Sequence, residues 1–256
     1  MTQRDAGTEP ASPDARGGRS GVKFASLLAL CLIAFAGFTW LGVWQVHRRA
    51  WKLALIDRVD ARVHAAPIPA PGPAAWPAIT ADRDAYRHVA VTGHYENARE
   101  TLVQATTELG PGFWVVTPFD TARGFTVLVN RGFVPAERRN PATRATGQIA
   151  GATTVTGLLR ISEPGGAFLR HNDPAHDRWY SRDVAAIAKA RGLGRVAPYF
   201  IDAERTAGPA GAPVGGLTVV HFRNAHLQYA LTWFALAALS LIGVALLLRD
   251  RIAPRR

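Results

Sequence analysis

From Leu227 to Leu248 the chain runs 22 residues without a charge, and a helix rising about 1.5 Å per residue crosses a hydrocarbon core of roughly 30 Å in that length. A second block, the 23 residues from Phe24 to Val46, is equally free of charge. Two spans of this kind leave the 180 residues from 47 to 226 as one domain held at both ends by the membrane. The fold class expected is therefore an α+β membrane protein: a two-helix transmembrane hairpin carrying an inserted, mainly antiparallel β soluble domain.

Flanking segments fit that reading. Residues 1–23 are polar and rich in Gly, Pro and Ser, a composition expected of a disordered tail. Arg16, Arg19 and Lys23 precede an apolar block too long for a signal peptide, and Trp44-Gln45-Val46-His47-Arg48-Arg49 follows it where a small-residue cleavage site would be needed. Residues 249–256 form a basic tail. Cationic residues on the short tails place both ends in the cytoplasm and residues 47–226 outside it, in the periplasm of a bacterial inner membrane crossed twice.

The net charge of +11 does not require nucleic acid. Arginine is spread along the chain without an aromatic-interleaved binding motif, so the partner expected is membrane lipid, not nucleic acid. The single cysteine, Cys31, lies inside the first span.

Leu41, Trp44, Arg48, Trp51 and Leu55 recur at helical spacings, so the first helix is expected to continue past the membrane surface. Five prolines between Pro67 and Pro77 read as an extended linker over 65–78. Strands are expected over Tyr86–Tyr95, Gly112–Phe119, Phe125–Asn130, Thr153–Ile161 and Pro198–Ile201, with a hairpin across Asp120–Gly124. One short helix is expected near 182–191, capped by Ser181 and ended by Gly192. Ala207–Gly216 reads as a second linker.

No phosphate loop, zinc-protease helix, nucleophile elbow or paired-cysteine knuckle is present. His171 and His176 bracket a Pro-containing loop and read as a solvated turn. The rim of the second span is richer. His226, Tyr229 and Trp233 share a helical face, and Gln45 at the end of the first span is an amide in want of a partner on the other helix. For an isolated rim histidine, an interfacial hydrogen-bonded imidazole is the simplest reading.

Several motifs in one order resemble the surfeit-locus family of cytochrome c oxidase assembly factors. Gly42-Val43-Trp44-Gln45 with Arg48, Trp51 and Lys52 is similar to that family's Gly-x-Trp-Gln-x-x-Arg-x-x-Trp-Lys. Gly93-His94-Tyr95 and Asn130-Arg131-Gly132-Phe133-Val134-Pro135 follow, with Phe133 where the family has Trp. Gly215, Gly216, Asn224, His226, Tyr229, Thr232 and Trp233 complete the series. The resemblance implies a protein that is not an enzyme. It would bind haem a and help insert or stabilise it in the oxidase catalytic subunit, its partner, with the haem a synthesis machinery as a further one. The family's proposed iron ligand falls on His226.

Around it the site expected comprises Gln45, Tyr229, Trp233, Trp44, His47 and Arg48, with Gln45 holding the second imidazole nitrogen and His47 a candidate second axial ligand. Arg48, Arg49 and Arg223 would face the propionates. Arg131 reads as part of a structural turn after a strand. Two alternatives stand beside this one: a structural clamp on an oxidase assembly intermediate with no bound cofactor, and an enzyme acting in the soluble domain.

Overall fold

A computed structural model describes residues 14–167, 169–206, 211–218 and 224–252. Contacts divide the chain into two units, Met1–Leu55 with Phe222–Arg256, and Ile56–His221.

The first unit is built from helix α1, Asp14–Val63, whose first part belongs here, and from the closing helix, His226–Ile252. Both are long and apolar enough to cross a membrane. Helix α1 begins within the segment expected as a tail and continues beyond Val46, because no Gly or Pro interrupts it between Val46 and Val63. The pair is antiparallel: Phe38 stacks on Trp233 at 5.7 Å between ring centroids, and Arg251 sits 4.4 Å over the ring of Phe24.

On α1 the less exposed positions include Cys31, Phe35, Phe38, Gly42, Gln45 and Arg49; on the closing helix they include His226, Ala230, Trp233, Ala237, Ser240 and Val244. Steps of four and three alternate along both, the 3.5-residue repeat of a left-handed helix pair. Small residues let the backbones approach. A Cβ added at Gly42 would lie 2.6 Å from the Phe234 ring.

The second unit is a closed sheet. After the end of α1 come strand β1, Ile68–Pro69, and the short helix α2, Ala81–Asp84. Strands β2 (His88–Tyr95), β3 (Thr101–Thr107), β4 (Gly110–Thr121), β5 (Thr126–Pro135) and β6 (Thr153–Ile161) follow. The small ribbon of β7 (Gly166–Ala167) and β8 (Arg170–His171) precedes helix α3, Val184–Ala190, and β9, Val196–Ala203. The closing helix of the first unit is α4.

Neighbours run β2-β6-β9-β5-β4, and β4 returns to β2 through Gly93↔Thr121 and Tyr95↔Phe119, so five strands close into a barrel. All pairs in it are antiparallel except β5 with β9. Closure needs glycine at the seam: a Cβ on Gly93 would collide with the Asp120 carbonyl. β3 extends the sheet along the first half of β4, and β1 lies parallel to β2.

Alternation places Val89, Val91, Phe119, Val127, Val129, Val155, Leu159, Tyr199 and Ile201 inside the barrel. On the outer face Leu128, Val116 and Phe200 join Trp179, Val184 and Ile187 beneath α3.

Three sequence readings need correction. Segment 65–78 is no free linker: Ala70 is buried, Tyr199 Oη donates to the Pro71 carbonyl at 2.7 Å, and Trp76 packs edge-on against Phe125. The prolines deny it a central strand position but allow one edge pairing and a 3₁₀ turn over Pro73–Ala78. Helix α3 is capped by Asp183, which accepts from Ala186 N–H at 3.1 Å, while the Ser181 hydroxyl donates to the Glu163 carbonyl. Arg131 lies within β5, not after it.

The expected hairpin and solvated turn are both present. β4 and β5 pair across Asp120–Gly124, and Asp173 holds the His176 turn on the surface. The sequence does not mark β3, because Thr101-Leu-Val-Gln-Ala-Thr-Thr107 lacks the aromatic and branched density of its neighbours. Part of the second expected linker, Ala207–Ala210, lies outside the described residues; Val214 beyond it forms a bridge to Phe133.

Candidate functional site

Gln45 and His226 meet on the seam of the helix pair. The helical repeats put both side chains on facing stripes, and there the His226 Nδ1 lies 2.8 Å from the Gln45 Oε1. Only 9% of Gln45 is exposed, so its amide oxygen has left water for one partner. An amide oxygen only accepts. In the neutral ring this contact puts the proton on Nδ1 and leaves the lone pair on Nε2, which forms no hydrogen bond among the described residues. An imidazole oriented through its other nitrogen is the usual arrangement of a histidine that ligates a metal.

Trp233 shares this seam, stacked on Phe38 seven positions before Gln45. Tyr229, expected on the same face, is turned outward and 55% exposed. Trp44 is also exposed, as are His47 and Arg48. The reason is angular: positions 44, 47 and 48 fall off the stripe defined by 42, 45 and 49. Arg48 folds over the Trp51 ring at 4.2 Å. Arg49 is half-buried at the rim. Arg223 and His221 lie outside the described residues.

In the barrel the Asn130-Arg131-Gly132-Phe133 run is a junction. Asn130 donates to Asp202 Oδ1 at 2.8 Å and accepts from Gly132 N–H. Gly132 has φ +129°, and a Cβ there would strike the backbone of Val214. Phe133 exchanges backbone hydrogen bonds of 2.9 Å with Val214. Asp202 gathers Arg160 at 2.8 Å, Arg182 at 3.0 Å and Thr218 at 3.0 Å. Burial works against charge on Arg182, but the Asp202 and Glu163 carboxylates outweigh it and hold the guanidinium above its ordinary value. No sequence motif marks Asp202, because its partners are drawn from four separate segments.

Among the described residues no group of three or more His, Cys, Asp or Glu side chains is placed to hold a metal ion. A haem iron needs no such cluster, since the porphyrin supplies its own four nitrogens and the protein only axial ligands.

Comparison with known proteins is consistent over most of the chain. Residues 32–238, which include the barrel and the parts of both helices that carry Gln45 and His226, match the SURF1 family. Surfeit locus protein 1 of Rattus norvegicus is 41% identical over 214 residues, 77% of this chain and 68% of the relative. The Homo sapiens protein of that name is 40% identical over 226 residues, 82% of this chain and 73% of the relative. That of Takifugu rubripes is 36% identical over 216 residues, covering 77% and 87%. This chain belongs to the SURF1 family.

Proposed function

We propose that this protein is a non-catalytic membrane factor in cytochrome c oxidase assembly, and that it holds haem a through His226 on behalf of the oxidase catalytic subunit. The observation that carries this reading is the 2.8 Å contact between Gln45 and His226. It fixes one nitrogen of the imidazole and leaves the other as a neutral donor for iron, so the residues present fit the group. Bound there, haem a would supply the redox-active iron that the finished oxidase needs.

The chain's own residues have distinct parts. His226 offers Nε2; Gln45 sets the tautomer and the ring orientation; Trp233 and Phe38 supply an apolar wall for a large macrocycle. Arg49 at the rim is placed to pair with a carboxylate, which in haem a is a propionate. Arg249 and Arg251 in the last turn of α4 favour the far end of the hairpin as the cytoplasmic one, which puts the barrel in the periplasm of a bacterial inner membrane.

Replacing His226 by Ala should remove or strongly shift the Soret band of protein purified from cells making haem a, with membrane insertion unchanged. His171→Ala should change neither. Haem a retained by His226→Ala with the same spectrum and stoichiometry would return His226 to the role of an interfacial imidazole.

A further inference from the structure

Arg131 is 7% exposed and, among the described residues, makes no ion pair, unlike the buried Arg144 and the part-buried Arg160 and Arg182. Arg144 sits on Glu100, and Arg160 and Arg182 on Asp202. Arg131 has no carboxylate within ion-pair distance among the described residues; it donates to the Asn97 side-chain oxygen at 3.0 Å and to the Gly147 carbonyl. The remaining N–H groups of its fork have no partner among the described residues. Burial pulls its proton affinity down, as expected for a cation out of water.

The same guanidinium lies 4.5 Å over the Tyr95 ring, and Tyr95, Gly147 and Arg131 together line a cavity of about 380 Å³. Thr154, Thr156 and Glu204 line it as well. Burial lifts the Tyr95 phenol to about 12, against the pull of the Arg131 charge, so it remains a neutral hydroxyl that can donate. The Glu204 carboxylate is engaged 2.7 Å from His88 Nε2 and does not serve Arg131.

One wall of this cavity is a strand edge. β6 pairs with β2 along Thr153–Leu158 but with β9 only from Gly157 onward. The last bond on that side runs from Glu204 N–H to the Thr156 carbonyl at 3.0 Å. Before it, Thr153–Val155 have no strand on the β9 side among the described residues. An unpaired edge binds an added extended chain through backbone hydrogen bonds.

We propose that this cavity is a peptide-binding site, in which Arg131 takes the carboxylate of an extended chain and the β6 edge left unpaired among the described residues takes its backbone. A carboxylate is the group that matches a planar fork of donors. It would also add a counter-charge of its own to that of Glu100, which attracts Arg131 but is ion-paired to Arg144. The site lies in the barrel unit and is independent of haem binding at His226.

Saturation-transfer NMR of the full-length protein in detergent micelles tests it, with N-acetyl-Ala-Val-Ala as the free acid and as its amide. The free acid should bind roughly tenfold more tightly, the difference expected of a charge-assisted hydrogen-bonded pair. Arg131→Gln should abolish the preference. Because that variant removes a buried stitch, Thr154→Asp provides a second test: the position is exposed, the fold should be kept, and a carboxylate there should repel the free acid. Equal binding of acid and amide, or an undiminished preference in a folded Thr154→Asp protein, would overturn the proposal. So would displacement by inorganic phosphate as complete as by excess peptide, which would make this a small-anion site.

Discussion

Asp202→Ala removes the carboxylate on which Asn130, Arg160, Arg182 and Thr218 converge. Asp202 is 4% exposed, so its partners would be left without it in a region with little water. Removing one member of a buried pair costs about 3–5 kcal/mol. The lower end applies here, because Arg182 keeps Glu163 at 2.6 Å and Arg160 keeps it at 3.6 Å. For a domain of this size 1 kcal/mol moves the midpoint by roughly 2–4 °C, so about 3 kcal/mol should lower Tm by about 6–12 °C. Tryptophan fluorescence of the full-length protein during a thermal ramp reads this, since Trp114 and Trp179 lie in the barrel unit beside the network. Asp202→Asn keeps one acceptor oxygen where the carboxylate offers Oδ1 to Asn130 and Oδ2 to Thr218, and should fall between wild type and Ala. A midpoint for Asp202→Ala within about 2 °C of wild type would show that the network is solvated and energetically idle.

Other outcomes follow from particular contacts. Gly243→Cys should form an intramolecular disulfide with the native Cys31, whose Sγ lies 3.4 Å from the Cβ position at Gly243; fragments cut within the barrel unit would stay joined on a non-reducing gel only if α1 and α4 pair as described. Gly132→Ala should lower Tm by several degrees, because φ +129° is unfavourable for alanine and the Val214 backbone occupies the Cβ position; an unchanged midpoint would mean that the segment around Val214 yields easily. Asp84 is buried, which raises its proton affinity, yet the Thr80 N–H, Arg87 and Arg83 outweigh burial and hold it below its ordinary value. Its contribution is therefore fully present above about pH 4 and is lost as pH falls through the lower folded value, so Asp84→Asn should flatten the acid limb of a Tm against pH curve. Leu109→Cys in a Cys31→Ser background should react with a membrane-impermeant maleimide added to intact spheroplasts, and labelling only after lysis would reverse the proposed orientation.

The fold was legible where one physical period dominated. Charge-free runs long enough to span a membrane, and dense alternation such as Thr153–Ile161, leave few alternatives, and the structure gives that strand the same limits. Legibility failed where the deciding contact was distant. Pro71 reads as linker until the Tyr199 hydroxyl, 128 positions away, is found on its carbonyl. Closure of the barrel rests on Gly93 meeting Thr121, which no local pattern announces. Arg131 read as a turn residue because Gly132 and Pro135 are turn formers, yet Gly132 uses its freedom to admit the Val214 backbone beside an unbroken strand.

The site divides in the same way. Gln45 could be singled out from sequence because an amide at the membrane edge is costly without a partner, and His226 because it opens the second span; the sequence reading sets the two together, and they lie 2.8 Å apart. The aromatic and basic residues around them did not sort, since Trp44, His47, Arg48 and Tyr229 have the composition of any membrane rim. What separates them is a rotation of the helix. Heptad spacing turns Gln45, His226 and Trp233 into the seam and leaves Trp44, His47, Arg48 and Tyr229 on the outer faces. His47 follows Gln45 by two positions, about 200° around the helix, so the seam that orients His226 turns His47 away from it. On the proposed reading His226 would therefore hold the group without a second histidine from this seam.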